Sequence, residues 1–326
     1  FDGDFIERHA RSLATIQKID VIHVVQNMNL LQNVNARIEE RQEANINVKV
    51  CFVPASGINY EKANALIFNI RYYQALRRLL RDYLVQNGAP DIVHVHVPVK
   101  AGAGAIWLKK KFNIPFIVTE HSTSYFPKSH DNYFDRSFFY RYLTKKTFTN
   151  ADAVTSVSKC LMNIMGELFH LKQKYVIRNS VNTALFFPVE TSNSVSRFVH
   201  VSMMVPFKNI EGILNALACL VERSRKWEMI FVGPATDRQI SLAKELEIDT
   251  QIIWKGALSY EEVAREMQNA DALIHFSNYE NLPCTIVESL CSGLPVISTD
   301  VGGIGEHVSN DFGLLMPPGD ENKLIS

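Results

Sequence analysis

The chain has 326 residues, 34 basic against 34 acidic side chains and 47% hydrophobic residues. That composition excludes a disordered or fibrous protein and predicts two domains whose cores need no disulfide or metal staples. Five scattered cysteines, Cys51, Cys160, Cys219, Cys284 and Cys291, form no C-x-x-C pair, so neither a disulfide framework nor a zinc site is indicated and a reducing compartment is expected. No apolar run approaches the roughly 18 residues that span a bilayer, so an integral membrane protein is not expected, nor is a signal peptide.

The even charge balance divides unevenly. Residues 1–188 carry 24 basic and 15 acidic side chains, a balance of +9, and the remainder 10 and 19, a balance of −9. Such asymmetry points to different partners for the two halves, with an anionic acceptor or membrane surface suiting the first.

In chain order, a helical pattern over Phe5–Leu13 opens the chain with no strand before it. A doubly wound domain begins on a strand, so the pattern predicts one upstream of Phe1 and a cut N-terminus. Val- and Ile-rich runs then predict strands at Ile19–Val25, Val48–Val53, Ile92–Val97, Pro115–Thr119, Ala153–Val157 and Tyr175–Ile177. The clearest helix is Ala65–Leu84, where Leu76, Leu79, Leu80 and Tyr83 recur at helical spacing. The turn-rich stretch Asn179–Ser196 reads as a linker, giving domains 1–188 and 189–326. Further strands are expected at Phe198–Ser202, Glu228–Val232, Ile252–Trp254, Ala272–Phe276, Pro295–Ser298 and Gly313–Met316, and the chain stops inside a new helical pattern. Alternating strands and helices throughout predict two α/β units in series.

The nucleotide fingerprints fail. Gly102-x-Gly104 follows a strand, but Trp107 stands where the third glycine of a dinucleotide site belongs, and no phosphate-binding G-x-x-x-x-G-K-[ST] or nucleophile elbow occurs. The dense segment is instead Ala270–Gly319. There, strand Ala272–Phe276 leads into a loop with Glu280, and a helix starts near Pro283 and ends at Gly293. Amides at that helix start, with the positive end of its dipole, suit a phosphate or sugar hydroxyls, and Glu280 and Glu288 are placed to grip different parts of one polar ligand.

Glu280 and Glu288 stand in an E-x7-E arrangement that resembles the retaining glycosyltransferases of the GT-B fold, family four, group 1. The resemblance extends through Pro90-Asp-Ile-Val-His-Val-His96, Val118-Thr-Glu-His121, Asp152-Ala-Val-Thr-Ser-Val-Ser158, Val176-Ile-Arg-Asn179-Ser-Val-Asn182 and Val205-Pro-Phe-Lys208-Asn, to Trp254-Lys-Gly256 and Val301-Gly-Gly-Ile-Gly-Glu306. It implies two Rossmann-like domains facing across a cleft, with the acceptor on the first and a nucleotide-diphosphate sugar on the second. The implied activity is hexosyl transfer with retention to a glycan or lipid-linked acceptor, in surface polysaccharide biosynthesis. The implied setting is cytoplasmic, with peripheral contact at an anionic inner membrane face, no nucleic-acid partner, no metal and no cofactor beyond the donor itself.

Carried onto this chain, the resemblance places Glu280 by the donor sugar, Glu288 on the ribose, Lys208 on the diphosphate and His121 at the donor sugar. Asn281, Leu282, Pro283 and Cys284 supply nearby backbone, Trp254 lines the base pocket, Gly233 forms the turn opening the cleft, and Gly3 is the loop glycine of the N-terminal domain. His94 reads as packed and His96 as a residue nearer the strand end. One position departs: Met203 replaces the family's usual arginine, which leaves Lys208 with backbone amides alone, brings in another basic residue such as Arg178, or makes donor binding weak. Met203 itself reads as a core residue at a strand end. A covalent intermediate and a same-face displacement both remain open. The competing class is a catalytically silent nucleotide-sugar-binding or scaffold module. Lastly, Ser124–Phe148 interleaves Tyr125, Phe126, Tyr133, Phe134, Phe138, Phe139, Tyr140 and Tyr142 with Lys128, Arg136, Arg141, Lys145 and Lys146. It is expected to be an amphipathic helix, with a membrane- or acceptor-facing surface as the sharper reading.

Overall fold

The computed structural model describes residues 4–27, 37–54, 61–190, 195–220 and 226–325. In order, the first elements are α1 (Asp4–Ala14), β1 (Ile19–Asn27), β2 (Arg37–Glu43), β3 (Ile46–Pro54), α2 (Glu61–Asn87), β4 (Val93–His96), α3 (Ala101–Phe112) and β5 (Phe116–Glu120). There follow α4 (Phe138–Asn150), β6 (Ala153–Ser156), α5 (Lys159–Leu168) and β7 (Lys174–Val176). After the linker come β8 (Ser196–Val201), α6 (Ile210–Ala218), β9 (Trp227–Val232), α7 (Asp237–Glu245), β10 (Ile252–Gly256), α8 (Tyr260–Gln268) and β11 (Ala272–His275). The chain closes with α9 (Cys284–Cys291), β12 (Val296–Thr299), β13 (Gly313–Met316) and α10 (Glu321–Ile325). Each of the twelve strands predicted from Ile19 to Met316 has its counterpart. Among the described residues no helix is long and apolar enough to cross a membrane.

The chain divides into two compact units. The first comprises Phe1–Ser122, Tyr133–Ser156 and Met165–Val176, and the second Thr123–Asn132, Val157–Ile164 and Ile177–Ser326. In the first, β4-β5-β6-β7 form a parallel sheet and β1-β3-β2 a second, with β1 and β3 parallel and β2 antiparallel to β3. Strand β2 is missing from the sequence reading because R-I-E-E-R-Q-E has no apolar run; it is an edge strand and almost wholly exposed. Helix α2 buries Tyr72, Leu76 and Leu79 against Val24, Cys51 and Val53, the helical spacing that the sequence shows. Gly102 and Gly104 serve packing. A Cβ on Gly102 would lie 2.3 Å from Thr147 Oγ1, and one on Gly104 2.9 Å from Leu76, so the two glycines let α3 sit tightly on α4 and α2.

Two expectations need correction. Ser124–Phe148 is not one helix: only α4 from Phe138 is α-helical, capped by Ser137 accepting from the Tyr140 amide, while Tyr125 and Phe126 are buried in irregular chain and Tyr133 in a 3₁₀ turn before it. Helical periodicity misled because the aromatics there serve two compact units. Nor is Met203 a core residue. It is 53% exposed, and its neighbour Met204, with φ at 51°, is the one buried.

In the second unit all six strands are parallel, in the order β10-β9-β8-β11-β12-β13. Along β9, Met229 and Phe231 enter one core with Ile213 and Leu214, and Ile230 and Val232 enter the other with Ile286 and Val296. Alternating burial on both faces is what a run of apolar residues yields between two helical layers. Each such side chain contributes about 1.5–3 kcal/mol.

Candidate active site

Strand order reverses between β8 and β11. The chain leaves β8 towards β9 and leaves β11 towards β12, so the loops beyond the carboxyl ends of these neighbouring strands diverge and leave a crevice. Lys208 comes from the first of those loops and Glu280 from the second. Lys208 ends a single 3₁₀ turn, Pro206–Lys208, and Asn209 with φ at 53° then caps α6 by accepting from the Gly212 amide. The two loops are joined by the Asn278 amide, which donates to the Phe207 carbonyl at 2.7 Å, and by stacking of Phe207 on Tyr279.

The Lys208 ammonium donates to Glu280 Oε1, and the two side chains are only 13% and 7% exposed. His275 Nε2 lies 3.1 Å from the same oxygen and 3.0 Å from Ser277 Oγ. Nδ1 of this fully buried ring has no partner among the described residues, which places the proton on Nε2, facing the carboxylate. Burial alone would raise the Glu280 carboxyl, but the Lys208 charge and the His275 hydrogen bond outweigh it and hold the pKa at about 2. Behind this triad the buried His200 stacks on His275, bonds the Ile274 carbonyl at 2.8 Å and Ser202 Oγ at 2.7 Å, and is pushed down to about 3, chiefly by burial. A carboxylate and an ammonium thus sit at a strand-end crevice over a neutral imidazole support. The cation that the sequence reading left for a ligand already has an internal partner.

After Glu280 the chain is held from several sides. Asn281 Oδ1 accepts from Ser158 Oγ at 2.6 Å, its carbonyl accepts from the Gly303 amide at 2.6 Å, and the Leu282 carbonyl accepts from Asn179 Nδ2 at 2.9 Å. Gly302 has φ at 61° and passes so close that a Cβ would stand 1.9 Å from the Glu280 carbonyl oxygen. Pro283 is the N-cap of α9 and supplies no side-chain cap, and Thr285 Oγ1 in its first turn is buried without a partner among the described residues. Glu288 is buried on α9; burial first, and then its charge, push the nearby Cys291 thiol up. Gly233 pairs with Gly256 at the crevice rim, where a Cβ would meet the Ser202 carbonyl at 1.8 Å, and Trp254 stacks on Phe231.

His121 belongs to the first unit. Glu120 Oε1 accepts from the His121 and Ser122 amides at 2.8 and 2.9 Å, which fixes the turn at the end of β5. His96, at the end of β4, brings Nδ1 to 3.2 Å from His121 Nε2, and His9 on α1 comes alongside with ring centroids 5.6 Å from His121 and 6.0 Å from His96. Burial, reinforced by the neighbouring imidazoles, pushes His96 to about 2 and His121 to about 3. His94 is pushed to about 4 and bonds Thr119 Oγ1 at 2.6 Å, packed as expected. The next residue after His96, Val97, has φ at 71°, a strained conformation for a β-branched side chain.

Sequence reasoning therefore places Glu280, Lys208, Asn281, Leu282, Pro283, Cys284 and Glu288 in one neighbourhood of the second unit, with Gly233 and Trp254 at the ends of the adjoining strands. Gly3 lies outside the described residues. His275, His200 and His9 were missed; the first two sit inside apolar strand patterns and read as core, and His9 sits on an amphipathic helix. Arg178 is exposed, near enough to His307 that its charge helps lower that imidazole.

Residues 35–185 match the family described as Glycosyltransferase Family 4, and residues 183–326 the family described as Glycosyl transferases group 1. An uncharacterized glycosyltransferase of Methanocaldococcus jannaschii is 26% identical over 274 residues, 81% of this chain and 74% of its own. The lipopolysaccharide 1,6-galactosyltransferase of Escherichia coli K12 is 31% identical over 168 residues, 46% of either chain, so the match spans under half of that relative. Among solved structures, sucrose-phosphate synthase from Thermosynechococcus elongatus superposes with a TM-score of 0.78 at 20% identity, covering 100% of this chain and 82% of that one.

Proposed function

The chain belongs to the family 4, group 1 glycosyltransferases, and from that premise we propose that it transfers a hexose, with retention, from a nucleotide-diphosphate sugar to a glycan or lipid-linked acceptor. The observation that carries the proposal is the buried Lys208–Glu280 pair at the β8/β11 reversal, beside the N-terminus of α9. Transfer must stabilise an oxocarbenium-like sugar and a departing diphosphate. In this reading Lys208 turns from Glu280 to the diphosphate when the donor binds, and the α9 amides add their dipole, so the leaving group is held without a metal. Glu280 is then released to the sugar hydroxyls while His275 keeps one of its oxygens. Glu288 takes the ribose hydroxyls. A covalent intermediate and a same-face displacement are both compatible with these roles.

The test is donor turnover by the Glu280→Gln variant, with nucleotide binding followed in parallel by thermal shift. Lost turnover with retained fold supports the assignment, and undiminished turnover removes Glu280 from the site. Surface polysaccharide assembly is the setting suggested by the lipopolysaccharide galactosyltransferase relative. The free cysteines suit the cytoplasm. On α4, the exposed Phe138, Phe139 and Tyr142 lie near Lys145 and Lys146, a composition suited to an anionic inner membrane face. Flotation with anionic liposomes at low salt tests that contact, which absent binding would exclude. The exposed Met203, at the position where the family resemblance implies an arginine, favours one second reading, a module that binds the nucleotide sugar without transferring it. Tight nucleotide binding without turnover would select that reading.

A further inference from the structure

We propose that His9, His96 and His121 form a three-imidazole site for a divalent transition-metal ion of the Zn²⁺ class. The three come from separate elements, α1, the end of β4 and the residue after β5, and each offers a ligand nitrogen, with no two of these nitrogens more than 4.8 Å apart. His96 Nδ1 and His121 Nε2 are 3.2 Å apart. Two nitrogens bound tetrahedrally to Zn²⁺ at about 2.0–2.1 Å lie about 3.3–3.4 Å from each other, so this pair already stands at ligand spacing. The remaining separations close by roughly 1.5 Å at most, a movement available to the His9 side chain on its helix.

A hydrogen bond between neutral imidazoles also explains the His96–His121 contact, but it leaves something over. His9 Nε2 is buried and has no hydrogen-bond partner among the described residues. A cation bound by all three rings satisfies that nitrogen as well as the other two, and no proton placed between His96 and His121 does so. Burial favours neutral rings with lone pairs available for ligation. His94 packs on His96, with ring centroids 4.2 Å apart and the rings tilted by 33°, but is engaged with Thr119 Oγ1, so it supports the cluster from behind. Three imidazoles without a carboxylate select Zn²⁺, Co²⁺ or Ni²⁺ over Ca²⁺ or Mg²⁺ and leave a fourth position for water. The proposal rests on this geometry and not on the transfer reading.

The test is titration of the chelator-treated chain with Co²⁺ and Zn²⁺, read by the visible ligand-field bands of Co²⁺ and by calorimetry. One equivalent is expected to bind and to give the spectrum of a four-coordinate ion with nitrogen ligands. His9→Ala and His96→Ala should each weaken binding by more than the about 10–100-fold that loss of an outer-shell partner costs. His170→Ala, at an exposed histidine, should leave binding unchanged. Circular dichroism checks each fold, and should His96→Ala unfold, His9→Ala on the outer helix decides. Sulfur-to-cobalt charge-transfer bands, unchanged affinity in His9→Ala, or no binding at all would overturn the proposal.

Discussion

The two units meet the cost of burying titratable groups at strand ends in opposite ways. In the first, His94, His96 and His121 gather like with like and give up their charge, with pKa values pushed to about 4, 2 and 3. In the second, Lys208 and Glu280 keep theirs because each is the other's partner. A buried group that can become neutral at little cost does so, and one that cannot must be paired. The second arrangement is therefore the more fragile when a single member is removed.

The largest expected effect breaks that pairing. Lys208→Ala leaves the Glu280 carboxylate buried without its cation and should cost about 3–5 kcal/mol in denaturant unfolding, whereas replacing one neutral imidazole of the first unit, as in His94→Asn, should cost about 1–3 kcal/mol. Glu280→Gln is close behind. On the proposed mechanism it removes about 10²–10³-fold of turnover, roughly 3–4 kcal/mol, and steady-state kinetics against the unfolding curve separates this from lost stability. The acid limb sharpens the comparison. The Glu280 carboxyl, held at about 2 against an ordinary 4.5, gives stability that is complete above pH 4.5 and is lost as pH falls towards 2, on the order of 3 kcal/mol. Urea midpoints across that range should fall for the wild-type chain and fall less for Glu280→Gln. The smallest effect comes from the crevice rim: Met203→Arg, at an exposed position, should leave the melting temperature nearly unchanged and tighten nucleoside diphosphate binding by about 0.2–1 kcal/mol, measured by calorimetry.

The same contrast explains what the amino-acid sequence discloses. The central parallel strands are legible because both of their faces are buried, so β9 and β11 read as nearly unbroken apolar runs. Strand β2 is not, since its partner and not its composition makes it a strand. At the site, Glu280 and Lys208 are legible as residue types in a known arrangement. Their pairing across 72 positions is a tertiary fact, as is the meeting of His9, His96 and His121. Met203 and Met204 show the finest limit: adjacent, chemically identical, and sorted to surface and core by one residue's positive φ.

The chain path carries a consequence for recombining such proteins. Residues 123–132 and 157–164 lie in sequence among those of the first unit but are built into the second. There the His130 amide donates to the Tyr279 hydroxyl, Ser158 holds Asn281, and the Lys159 and Cys160 amides grasp the Glu306 carboxylate. A chimera that exchanges halves at the linker would therefore inherit these two segments from the wrong parent, and with them a mismatched back wall behind Glu280. Grafts intended to change donor preference should carry the two segments along with everything from Ile177 onward.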